Sequence, residues 1–117
     1  MIEPKLKEGE IYVATIQIAG QDPYHLILLP DHPRDKMTHQ AAIEWAAYTG
    51  GDLPTRPEQA LLFAHQRRQF DMDWYWSNEL HGSAQDYAWY QYFHRGRQDV
   101  SPCLGELRAR SVRREYF

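Results

Sequence analysis

The chain reads as one α+β domain, on three observations. Two aromatic runs, Trp74-Tyr75-Trp76-Ser77 and Tyr87-Ala88-Trp89-Tyr90-Gln91-Tyr92-Phe93-His94, flank the polar, turn-rich Asn78–Asp86. Aromatics favour strands, so this stretch predicts a hairpin-like pair at the centre of the core, with its connecting loop exposed. Thr38 and Thr55 each stand before a helical pattern. Two further apolar runs, Ile11–Ala19 and Tyr24–Leu29, are split by Gly20-Gln21-Asp22-Pro23, a turn cluster that predicts a second hairpin.

Residues 1–10 are a polar lead-in. In the first hairpin only Ile11, Val13 and the alternates of Thr15 suggest period two, so the inward face of that strand stays open. Pro30–Met37 is a loop by composition. Thr38 is the expected N-cap of a helix to about Tyr48, with Ala42, Trp45 and Ala46 on one face and Gly50-Gly51 as its stop. Thr55 and Glu58 fit a capping box, and Pro57 in the first turn has no N–H to lose. That second helix is expected to turn Ala60, Leu61, Phe63 and Ala64 inward, with Arg67-Arg68 complementing its dipole. On Tyr87–His94, Trp89 and Phe93 are assigned to the core, while Tyr90 and Tyr92 fall on the outward face. Val100–Gly105 reads as irregular. Leu107–Arg113 reads as the last strand, with a bulge near Arg110-Ser111 returning Leu107, Ala109 and Val112 to one face. Trp45, Phe63, Trp76, Trp89, Phe93 and Val112 are the expected buried set.

The 117 residues suit one domain, residues 1–117, and 43% hydrophobic with 25% charged is an ordinary globular balance. No apolar run reaches the roughly 20 residues that span a bilayer. The single Cys103 makes no internal disulfide, and the N-terminus shows no apolar signal region, so a cytoplasmic setting is expected. Charge is uneven. From Arg95 to Phe117 six arginines meet three acids, whereas residues 1–94 hold seven bases and thirteen acids. Such asymmetry marks a partner face or two segments that pair in the fold.

The order Gly50-Gly51-Asp52-Leu53-Pro54-Thr55-Arg56-Pro57-Glu58, then Trp76-Ser77, Tyr87-Ala88-Trp89-Tyr90 and Leu107-Arg108-Ala109-Arg110-Ser111-Val112-Arg113-Arg114 resembles a family of unknown function. That family is named after the carboxyl-terminal domain of the Legionella collagen-like adhesin. Tyr24-His25-Leu26-Ile27-Leu28 extends the likeness over nearly the whole chain. The resemblance implies a C-type-lectin-like fold: two helices packed on a small curved antiparallel sheet, long loops on one side, and paired first and last strands. It also implies a short phage or prophage protein. Fold alone does not carry function.

Specific chemistry is sparse. Asp71-Met72-Asp73 lacks the further acids and glycine of a calcium loop. The lectin relatives' Glu-Pro-Asn and Trp-Asn-Asp motifs are absent, and Trp76-Ser77-Asn78 does not replace them. His32, His39, His65, His81 and His94 show no close ligand spacing. Ser77 with His81 lacks a third orienting group, and the paired copper-binding cysteines of the formylglycine-generating relatives are missing. No metal, no cofactor and no catalytic residue are therefore assigned. Arg108, Arg110, Arg113 and Arg114 allow phosphate contacts, but net charge is negative and cross-strand acids can satisfy them. Nucleic acid is the weaker alternative.

The expected function is recognition of a protein partner without catalysis, as an inhibitor of a host defence complex of the anti-CRISPR type. A virion or cell-surface adhesion module is the other reading. Partner contacts are expected from Tyr75, Glu79, Asp86, Tyr90, Tyr92, Arg95 and Arg97, because loops on a rigid sheet carry binding residues and aromatics and arginines are the usual hot spots. Since clustered carboxylate and amide oxygens are missing, removing calcium with a chelator is expected to leave the melting temperature unchanged. A fall of several degrees on calorimetry reveals a calcium site instead.

Overall fold

The protein, described over residues 3–117 in a computed structural model, has two helices and two three-stranded antiparallel sheets. The first two residues of the lead-in lie outside the described part. The first sheet has the order β1 (Ile11–Ile16), β2 (Tyr24–Leu28), β6 (Val112–Tyr116), so β2 sits between the first and last strands, which do not pair directly. The termini still meet across its face. The Arg113 guanidinium donates to Glu10 Oε1 at 2.8 Å and to Lys5 O at 2.7 Å. The second sheet is the meander β3 (Trp74–Leu80), β4 (Tyr87–Tyr92), β5 (Gln98–Pro102). Two sheets thus replace the one expected.

α1 (His39–Tyr48) starts where Thr38 Oγ1 accepts from Ala41 N–H, and ends at Gly50, whose φ of +87° suits glycine. α2 (Arg56–Gln66) carries the full capping box between Thr55 and Glu58, and continues into a 3₁₀ turn at Arg67–Gln69. The arginines expected at its end lie in that turn.

Two clusters form the core. One joins α1 to the meander through Ala42, Ala46, Trp76, Ala88, Tyr90 and Ala109. The other joins α2, the first sheet and the opposite face of the meander through Leu26, Leu28, Leu62, Tyr75, Phe93 and Val112. The meander is therefore covered on both faces, and this overturns the expected outward tyrosines. Tyr75 is 1% exposed and Tyr90 5% exposed, while Tyr92 is half-buried. Trp45, Phe63 and Trp89, expected in the core, are only half-buried; Trp76, Phe93 and Val112 are buried.

The remaining departures have local causes. Ala60 and Ala64 are exposed, and α2 instead buries Glu58, Gln59 and Leu62, because its inner face is held by polar bonds. One of these runs from Gln59 Nε2 to Tyr75 O at 3.0 Å. The segment read as irregular, Val100–Gly105, holds the last three residues of β5, which pairs with β4 along its length. The last strand begins only at Val112. Before it, Leu107 bridges Met37 and Arg108 bridges Tyr75, so Leu107 and Ala109 enter the α1 cluster while Val112 enters the other. No bulge gathers them on one face.

Glu58 ties these layers together. Its carboxylate accepts from Thr55 N–H (2.9 Å), from the Tyr24 hydroxyl (2.5 Å) and from Arg114 Nε and Nη2 (both 2.7 Å). Arg114 also donates to Asp52 Oδ2 at 2.9 Å. One buried ion pair thus joins α2, β2, β6 and the segment before α2. Burial raises the Glu58 carboxyl, but Arg114, Tyr24 and the Thr55 N–H outweigh it and hold the pKa below the ordinary 4.5.

Breaking a buried pair leaves a charge without its partner, so Glu58→Gln is expected to lower stability by about 3–5 kcal/mol in denaturant titrations. Because the folded pKa is depressed, the Glu58 contribution is fully present above about pH 4.5 and lost as pH falls through the folded value. The variant should therefore lose stability less steeply than wild type below that pH.

Candidate functional site

The meander decides which predicted residues can act together. Successive turns of an antiparallel meander lie at opposite ends of the shared strand. The Asn78–Asp86 loop and the β4–β5 turn are thus separated by β4, whose six residues span roughly 20 Å. The Arg95–Gly105 segment, expected on the same side as that loop, is thus divided: its turn lies at the other end of β4, while its end at Cys103 meets the loop. Asp86 sits at the far end, where its carbonyl accepts from Cys103 N–H at 2.8 Å beside the exposed Leu104. Arg95 and Arg97 are exposed on the β4–β5 turn, on either side of Gly96.

Glu79 lies near that turn because of α2. A cleft of about 610 Å³ opens between the start of α2 and the β4–β5 turn, bordered by Arg56, Ala60, Glu79, Gln91, Gly96 and Gln98. The turn is held to the helix by close packing. A Cβ on Gly96 would stand 2.6 Å from the Phe63 ring, and its φ of +80° also favours glycine. At the helix start, Glu79 Oε2 accepts from Arg56 N–H at 2.7 Å, which places a carboxylate at the positive end of the helix dipole.

The cleft walls are built from interlocking polar groups. Gln98 Nε2 donates to Arg56 O (2.8 Å) and to Gln91 Oε1 (3.0 Å), and Gln98 Oε1 accepts from Arg56 Nε (3.0 Å). The Arg56 guanidinium carbon stands 3.5 Å from the Trp89 ring centroid, with His81 stacked near the same ring. Cation–π contact and the Gln98 bond fix the guanidinium. Gln91 is 1% exposed, and its Nε2 has no hydrogen-bond partner among the described residues. Its amide orientation is set, because Oε1 is already engaged by a donor. The cleft can therefore present a fixed cation, Arg56, to an acceptor group, while the Gln91 amide is buried behind it.

Of the seven residues expected to contact a partner, Glu79 borders this cleft, Arg95 and Arg97 flank Gly96 on the turn beside it, and Asp86 does not belong to it. Tyr75 and Tyr90 are buried. Burial pushes the Tyr75 phenol up to about 12, and its oxygen accepts from Asp71 N–H at 2.9 Å. Half-buried Tyr92 lies on the α1 side of the sheet. The residues missed from sequence are Arg56, Gln91 and Gln98. One signal was present: Gln91 alternates with Trp89 and Phe93, so it occupies an inward slot where an amide needs a partner.

The C-terminal arginines are engaged within the fold. Arg108 pairs with Asp73 at 2.8 Å, Arg113 with Glu10, and Arg114 with Glu58 and Asp52. Arg110 is buried and donates to backbone carbonyls of Leu29 and Gln69. Among the described residues no group of three or more His, Cys, Asp or Glu converges as a metal site, and no helix is long and apolar enough to cross a membrane. Compared with family models, curated proteins and solved structures, the chain matches none.

Tyr90→Ala is expected to cost about 3–5 kcal/mol, the usual range for removing a buried ring. Arg97→Ala, on an exposed turn, should stay within about 0.5 kcal/mol of wild type. Thermal melts of the two variants distinguish a core tyrosine from a surface arginine.

Proposed function

We propose that this protein is a non-enzymatic binding module that recognises a protein partner through the cleft between α2 and the β4–β5 turn. The observation that carries this reading is the Arg56 guanidinium lining the cleft, already fixed by Trp89 and Gln98. A partner backbone carbonyl or carboxylate accepts from the remaining N–H groups of this arginine. Pre-organised donors lose little entropy on binding, and the exposed Arg95 and Arg97 supply a charged rim. Two helices and an aromatic meander support a C-type-lectin-like type for the α+β fold, in line with the motif resemblance. Through that resemblance the partner is a host defence complex of the CRISPR type, blocked by a phage or prophage product.

The test is capture of such a complex from a host lysate by the tagged protein, followed by affinity measurement with purified components. Arg97→Ala and Arg56→Gln, each checked by thermal melt, are expected to weaken binding by about 1–3 kcal/mol. Unchanged affinity in two well-folded variants removes the cleft from recognition. Stoichiometric protein in purified virions overturns the inhibitor role in favour of an adhesion module.

A further inference from the structure

Arg110 is the residue whose charge the fold leaves least compensated. It is 4% exposed, yet among the described residues no carboxylate lies within ion-pair distance of it. Its guanidinium donates to Leu29 O at 2.9 Å and to Gln69 O, and it faces the Phe70 ring at 5.3 Å. Among the described residues its Nε–H has no acceptor. Neutral carbonyls do not cancel a buried charge, and a cation removed from water without a counter-charge is costly. The neighbouring Arg108, Arg113 and Arg114 each have carboxylates. Arg110 therefore stands apart from residues of the same type in the same segment.

Beside it lies a cleft of about 290 Å³, bordered by Pro30, His32, Arg68, Gln69, Asp71 and Arg110. A second hollow of about 280 Å³ shares His32 and Asp71 and adds Arg34 and Arg108. Arg34 and Arg68 are exposed. The opposing charges are Asp71, held 3.5 Å from Arg108, with Asp31 also acting on Arg110. His32 reports the balance. Burial lowers its pKa, and the charges of Arg110, Arg108 and Arg34 lower it further against Asp71. Arg110, Arg68, Arg34 and Arg108 thus border the two hollows, against the Asp71 carboxylate that lines both.

We propose that this cleft binds an oxyanion group, a phosphate or a carboxylate, as the missing counter-ion of Arg110, with Arg68 as its solvent-side clasp. Such groups accept several N–H bonds at once, which suits a buried guanidinium beside an exposed second one. The site lies at the end of α2 remote from the cleft at its start, and it does not depend on the function proposed for that cleft.

Following the Arg110 Nε–H signal by NMR in the full chain tests this directly. Titration with inorganic phosphate at fixed pH and ionic strength is expected to move that signal saturably, leaving the carboxylate-paired Arg113 and Arg114 signals in place. Arg68→Ala, an exposed change, is expected to weaken phosphate binding roughly tenfold. A parallel acetate titration separates the two sources: a stronger response to phosphate assigns a phosphate group, and a stronger response to acetate assigns a carboxylate. An Arg110 signal that stays fixed in both titrations overturns the proposal. So does one that moves equally with chloride, or phosphate binding unchanged in Arg68→Ala.

Discussion

The Glu58 carboxylate does two jobs that belong to different levels of structure. Locally it completes the capping box with Thr55 and satisfies an N–H that the helix start leaves open. Globally it receives Arg114 from the last strand and Tyr24 from the second. Neither half is easily kept without the other. A buried carboxylate with only helix partners would carry an uncancelled charge, and Arg114 without Glu58 would do the same. The helix start is thereby fixed relative to the first sheet, and everything built on the helix start inherits that position. The Arg56 guanidinium and the Glu79 carboxylate, one residue and one bond away from the cap, are among those groups.

Adjacent arginines on β6 show how the pleat distributes this pairing. Arg113 stands opposite Ile27 and Arg114 opposite Leu26, so they point to opposite faces of one sheet. Arg113 meets Glu10 and Glu115 on the outer face, where the lead-in crosses. Arg114 meets Glu58 and Asp52 on the inner face. The C-terminal excess of positive charge and the acidic excess elsewhere are two sides of the same internal pairing. Arg110, engaged by two carbonyls and the Phe70 ring, has no carboxylate within ion-pair distance among the described residues.

Local signals were legible in the sequence, and long-range ones were not. The caps at Thr38 and Thr55, the glycine stop after α1 and the aromatic pair of β3 and β4 follow from neighbours within a few residues. Glu58 was read correctly as a cap, but its ion-pair partner is 56 residues away and leaves no local trace. For the same reason Ala60 and Ala64 looked like the inner face of α2, although the inward direction is set by Glu58 and by the Gln59 bond to Tyr75. β5 was missed because Asp99, Ser101 and Pro102 are poor strand formers. It exists through its pairing with β4, and Asp99 Oδ1 covers the Val100 N–H. Tyr75 and Tyr90 were placed outside because one covered face was assumed. Alternation says which residues share a face, but not how many faces other elements cover.

That second covered face also explains why the candidate site is polar. With α1 on one side of the meander and α2 on the other, Tyr75, Trp76 and Tyr90 serve as packing, while Trp74 and Tyr87 at the strand starts stay exposed. What the inner face of α2 leaves near its start is a set of amides and one arginine, held in register by Gln98 bonding to both Arg56 and Gln91. A recognition surface made this way depends on the rigidity of its neighbours more than on its own area, because each donor is fixed before a partner arrives. The meander then sets its limits. Gly96, between Arg95 and Arg97, borders this cleft because the turn packs on Phe63, whereas Asp86 is carried by the turn at the other end of the same strand.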